Sequence, residues 1–168
     1  MTVKSISIKA LITSVAISFS LAAVADKVAF KVAVIKDTTA SKEIISGDIE
    51  TSLAQLTTTN ESSFENSTGL CATYLQTKNV DKSEVACTAA IKSIESIRSY
   101  DARKSYLRSI SYSNRAIARY LNNDFLGAMD DLNIATSINE NTITAGNLTL
   151  MKNKMLTANE PTKDLVAD

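Results

Sequence analysis

YSNRAIARYLNNDFLGAMDDLNIATSI, residues 112–138, is the stretch that decides how this chain folds. Ala116, Tyr120, Phe125, Ala128, Leu132, Ala135 and Ile138 recur at helical spacing, and the polar break Asn122-Asn123-Asp124 divides them into two halves. The pattern predicts two antiparallel helices, with Ala116, Phe125, Ala128, Leu132 and Ala135 as the residues at which they pack. A single helical hairpin cannot bury its apolar face alone, so it needs similar hairpins to stack against.

Two other stretches share this grammar. Residues 69–94 place Leu70, Cys71, Tyr74 and Leu75 on one face and Val85, Ala86, Ala89, Ala90, Ile91 and Ile94 on another, on either side of a polar break at 78–82. Asp81 or Ser83 is the expected cap of the second helix. Residues 42–56 show a shorter version, with Ser41 as the expected cap and Gly47-Asp48 as the turn before Ile49, Leu53 and Leu56. Residues 57–68 read as a polar connector anchored by Phe64, and residues 95–114 as extensions of the flanking helices. Thr142 is expected to cap a last helix carrying Ile143, Ala145, Leu148, Leu150, Met151 and Met155, which covers the end of the array. The expected fold is therefore all-α, a short array of antiparallel helical hairpins with a C-terminal capping helix. Its repeat domain spans residues 41–158 and a flexible tail spans 159–168. One Pro and four Gly in 168 residues agree with helices rather than a turn-rich β-fold.

The N-terminus reads as an export signal. Lys4 and Lys9 precede an apolar run at 10–22, and Ala23-Val24-Ala25 supplies a small-residue cleavage pattern before Asp26, so residues 1–25 are expected to be removed. The run is too short, and too interrupted by hydroxyls, for a membrane span. A periplasmic or secreted location follows, with no membrane attachment after cleavage. Residues 26–40 are expected to be an irregular mature N-terminus. Within them Phe30, Val32, Ala33, Val34 and Ile35 are too densely apolar to decide between strand and helix. Sequons at Asn60, Asn66 and Asn147 carry no weight in a bacterial exported chain.

Cys71 and Cys87 are the only cysteines, an even number in a chain read as exported, which favours a disulfide. In a hairpin that bends near Asn79 and Val80 they stand at one level on facing helices. Two reduced, buried thiols are the alternative.

The stretch at 112–138 resembles the tetratricopeptide repeat, whose helices touch through small residues on either side of a Gly-Asp-aromatic type of turn. Tyr112, Ala116, Asn123-Asp124-Phe125, Ala128, Leu132 and Ala135 take the family's positions, and Asn114-Arg115-Ala116 is similar to the Asn-Arg-Gly variant of its first helix. Glu140 stands where the family closes with Pro, and Arg119 where it is normally aromatic. Leu70, Cys71, Tyr74, Ala86, Cys87 and Ala90 align as a second copy and residues 42–56 as an eroded third. The resemblance implies ligand contacts on the inner face of the first helix, here Ser113, Asn114, Ile117 and Tyr120. Of these, the Asn114 carboxamide is suited to bond both groups of a bound peptide backbone.

Enzymatic chemistry finds no support. The chain has no His, the commonest general base and zinc ligand, and neither GxSxG nor a P-loop occurs. No catalytic residue, metal or cofactor is expected. Removing Lys4 and Lys9 from a chain with 18 basic and 18 acidic residues leaves it mildly acidic, which disfavours nucleic acid as a partner. Lys104, Arg108, Arg115 and Arg119 form a basic stripe along one helix. The stripe reads either as a clamp for an acidic ligand or as internal pairing, with Asp130 and Asp131 as the partners. The expected function is non-catalytic binding of an unidentified protein or peptide on a concave face in the cell envelope. A self-associating homodimer without a peptide ligand is the alternative.

Overall fold

The computed structural model describes residues 14–18, 29–58, 63–98 and 101–158. The backbone forms two strands, β1 (Ser14–Ser18) and β2 (Lys31–Ile35). Seven helices follow among the described residues: α1 (Ser41–Ser46), α2 (Ile49–Thr58), α3 (Phe64–Gln76), α4 (Val80–Ser96), α5 (Ala102–Leu121), α6 (Phe125–Ile138) and α7 (Thr142–Ala158). The fold is all-α in architecture, an array of antiparallel hairpins α1/α2, α3/α4 and α5/α6 with α7 packed on its end. The predicted cleavage site and the C-terminal tail at 159–168 lie outside the described residues.

One turn design joins all three hairpins. Gly47, Lys78 and Asn123 each adopt the left-handed conformation, with φ of 81°, 54° and 62°. In each hairpin the next residue sends its N–H back to the preceding helix: Asp48 to Glu43 O at 2.9 Å, Asn79 to Tyr74 O at 3.0 Å and Asp124 to Arg119 O at 2.9 Å. That same residue caps the following helix, its side-chain oxygen accepting from Thr51 N at 3.1 Å, Lys82 N at 3.3 Å and Gly127 N at 2.9 Å, respectively. Each turn thus satisfies orphan carbonyls on one side and orphan N–H groups on the other. Only at the first turn does Gly supply the left-handed residue without steric cost.

Several caps differ from those expected. Asn79, one residue before the helix, caps α4 in place of Asp81 or Ser83. Asn141, which accepts from Ile143 N and Thr144 N, caps α7 in place of Thr142. Ser41 is the first residue of α1 and makes no cap bond; Ala40 precedes it in the left-handed conformation. Ser63 accepts from Asn66 N and starts α3 at Phe64, well before the expected start near Gly69. The polar connector is shorter for that reason. The expected extension of the flanking helices through 95–114 is present, with α4 reaching Ser96 and α5 starting after the Asp101 cap.

Packing exploits small residues where helices cross. At Gly69 of α3 an added Cβ would come within 2.8 Å of Leu56 on α2, so the missing side chain is what lets that buried leucine lie against the helix. Ala116, Ala128, Leu132 and Ala135 are buried between α5 and α6, as expected. Phe125 is not in that core: it is 43% exposed and its ring leans on Tyr120, with centroids 5.5 Å apart. It opens α6 beside the turn and stays partly open to solvent.

The expected irregular N-terminus is a strand at 31–35. Its apolar density is that of a strand buried on both faces. Phe30, Val32 and Val34 join one apolar cluster, with Leu75, Ile117, Leu132, Leu150 and Met151. Ala33 and Ile35 join the other, with Ile94, Leu107, Ile110 and Ile143. The helices therefore wrap around β2, and α7 also packs against it rather than only covering the end of the array. β1 pairs with β2 antiparallel, Ser14 opposite Ile35 and Ser18 opposite Lys31. It lies within the segment expected to be removed as a leader.

Cys71 and Cys87 are bonded, joining α3 to α4 two turns from the bend. Closing a loop between residues 16 apart constrains the unfolded chain by about 3 kcal/mol. Urea unfolding of a Cys71→Ala/Cys87→Ala chain is expected to show a loss of that size, and reductant is expected to move the wild-type midpoint but not the variant's.

Candidate strand-holding groove

The inner face of the array is built by α3, α5 and α7 and is filled by β2. Asn114, fully buried on α5, accepts from Ala33 N at 2.8 Å through Oδ1 and donates from Nδ2 to Ala33 O at 2.9 Å. Asn147, equally buried on α7, does the same for Lys31, accepting from its N–H at 2.8 Å and donating to its carbonyl at 2.9 Å. A carboxamide has one acceptor and two donor hydrogens in a plane, so each Asn substitutes for a residue of a neighbouring strand. The second hydrogen of Asn147 goes to Ser113 Oγ at 2.9 Å, which fixes that amide against α5.

All four residues expected to contact a ligand gather here. Ser113 lies beneath the strand and orients Asn147, while Asn114 grips Ala33. Ile117 is buried in the cluster that receives Val32 and Val34. Tyr120 is half-buried, with its ring 4.9 Å from that of Phe30 and 5.5 Å from that of Phe125. The backbone they meet is the chain's own.

Asn147 enters the sequence analysis only as a sequon, although the sequence carries a better signal. It stands 33 positions after Asn114, and around it Ile143, Thr144, Leu150 and Met151 match Ile110, Ser111, Ile117 and Ala118 at the same offset. All eight of these flanking residues are buried. α7 thus repeats the buried pattern of α5. The Asn147 carboxamide, spent on three hydrogen bonds, is not a free acceptor for a glycan.

The basic stripe forms internal pairs. Arg115 is bidentate to Asp131 at 2.8 and 2.7 Å, and Asp131 is 1% exposed. Hydrogen bonding to Asp131 holds the Arg115 guanidinium above its ordinary pKa, outweighing the opposing effect of burial. Arg119 reaches Asp131 at 3.1 Å, Glu84 of α4 at 3.1 Å and the Gly127 carbonyl of α6 at 3.3 Å. Arg108 meets Glu95 at 3.4 Å, and Lys104 donates to the Ile97 carbonyl. Asp130, the other expected partner, is exposed. Arg119, where the tetratricopeptide pattern has an aromatic residue, therefore ties α4, α5 and α6 together by charge. Among the described residues no group of three or more metal-ligating side chains is assembled, and no helix is long and apolar enough to cross a membrane.

These arrangements set an order of sensitivities. Asn114→Ala strands a buried N–H and C=O on Ala33 and is expected to cost about 2–4 kcal/mol. Asn147→Ala is expected to cost less, about 1–2 kcal/mol, because its hydrogen bonds to Lys31 are part-buried whereas those of Asn114 to Ala33 are buried. Asp131→Ala leaves two arginines facing a buried gap and is expected to cost about 3–5 kcal/mol. Urea titrations of the three variants check both the sizes and the order. In comparisons with known proteins, no family model matches the chain, and no curated protein or solved structure matches it.

Proposed function

We propose that this chain is an exported, non-catalytic interaction module, a tetratricopeptide-like array that recognises a partner protein in the bacterial envelope or outside the cell through its strand-filled inner face. The observation that carries the reading is the pair of carboxamides holding an extended backbone between helices. Residues arranged in this way recognise main chain rather than a reacting group, and they tolerate a range of side chains. The disulfide and the leader-like N-terminus support an oxidising compartment. Ser113, Asn114 and Ile117 act by holding the resident strand in this reading. Tyr120, beside Phe30 and Phe125, is the member of the predicted set that remains at the surface.

Expression with the leader in an exporting host, followed by affinity capture from the envelope fraction, tests this. The mature protein is expected to begin at Asp26 and to recover a stoichiometric partner. A Tyr120→Ala/Phe125→Ala chain, checked by urea titration to be folded, is expected to recover several-fold less of it. A stable homodimer that captures nothing supports self-association instead.

A further inference from the structure

β2 has two edges, and they are satisfied differently. Lys31 and Ala33 turn their N–H and C=O groups toward Asn147 and Asn114. Main-chain groups of successive residues in a strand point to opposite edges, so Val32 and Val34 turn theirs toward β1. In the antiparallel register Val32 faces Ile17 and Val34 faces Val15, which makes these the two hydrogen-bonded pairs. Both faces of β2 are buried in apolar clusters and one edge is closed by carboxamides. The edge held by β1 is the remaining side of the strand.

We infer that this edge is a strand-accepting site, held by residues 14–18 in the uncleaved chain and taken in the mature protein by an extended, uncharged segment of a partner running antiparallel to β2. The inference rests on the proposed removal of residues 1–25, which takes β1 away with the leader. It leaves the N–H and C=O groups of Val32 and Val34 without partners on a strand whose side chains are core residues. Unpaired strand edges recruit strands, and this edge is pinned against movement by the two asparagines beneath it. The occupant's chemistry is set by the segment already seated there. Ser-Val-Ala-Ile-Ser carries no charge and no Pro and alternates small with β-branched residues, so it extends readily and offers every N–H it is asked for. β1 thereby acts as a placeholder that keeps the edge filled until export is complete.

The test uses the protein exported and processed from the full chain, its N-terminus read by mass spectrometry, and the synthetic peptide TSVAISF, which covers residues 13–19. Saturable binding of the peptide is expected. N-methylation at the peptide residue corresponding to Val15 or Ile17 removes a ladder donor and is expected to weaken binding by about tenfold or more, whereas N-methylation at Ala16, whose N–H points away from β2, is expected to change it by less than about threefold. The uncleaved chain, with β1 in place, is expected to refuse the peptide. Four results overturn the inference: an N-terminus that retains residues 14–18, a processed protein that does not bind, equal weakening at all three N-methyl positions, and a dimer whose edge is already covered by a second copy. The second and third leave the broader interaction reading intact, because capture of a partner through the Tyr120 and Phe125 rim is measured separately.

Discussion

A strand buried among helices has no neighbouring strand on that side, and its N–H and C=O groups need partners from elsewhere. Each such group left unpaired costs about 1–3 kcal/mol, enough to expel the strand. Asn114 and Asn147 remove that cost by presenting a planar donor and acceptor to Ala33 and Lys31. The apolar clusters on both faces of β2 depend on it staying in place, because Val32, Val34, Ala33 and Ile35 reach into them from the strand. Two carboxamides therefore decide whether the array has one continuous interior or a groove lined with exposed apolar residues.

The remaining interactions hold the helices at the spacing this strand requires. The disulfide fixes α3 to α4, and the Arg115, Arg119, Asp131 and Glu84 network ties α4, α5 and α6. The network works as a unit because a single carboxylate, Asp131, serves two guanidinium groups in a buried position. The three hairpin turns repeat one hydrogen-bond scheme with three different left-handed residues, so the same local geometry is reached from different sequences. Gln76, donating to the Ile44 carbonyl at 2.7 Å, anchors the short α1 to the end of α3.

The hairpins and their small-residue contacts were readable because helical periodicity is local and the turn residues punctuate it. The cysteine pairing was readable because the bend between the helices fixed their relative level. Asp130 and Asp131 are equal candidates in the sequence, because adjacency alone does not say which of two neighbouring carboxylates turns inward. β2 stayed undecided because a strand buried on both faces loses the alternation that marks a half-buried one. Its existence depends on Asn114 and Asn147, which lie 81 and 116 positions away from the residues they hold. The Asn114 carboxamide is suited to hold an extended backbone, but nothing local indicates that the backbone belongs to the same chain. The inward direction of Asn147 is carried only by the match of α7 to α5 at an offset of 33 positions.

The claim on which the account rests is that β2 is locked into the inner face by side-chain amides. Native-state hydrogen exchange at the Ala33 amide measures this directly. The predicted result is exchange among the slowest in the protein, governed by global unfolding, with protection lost selectively at 31–35 in Asn114→Ala while the α3/α4 hairpin stays protected. Rapid exchange at Ala33 in the wild-type protein, at the rate of an open loop, would contradict it.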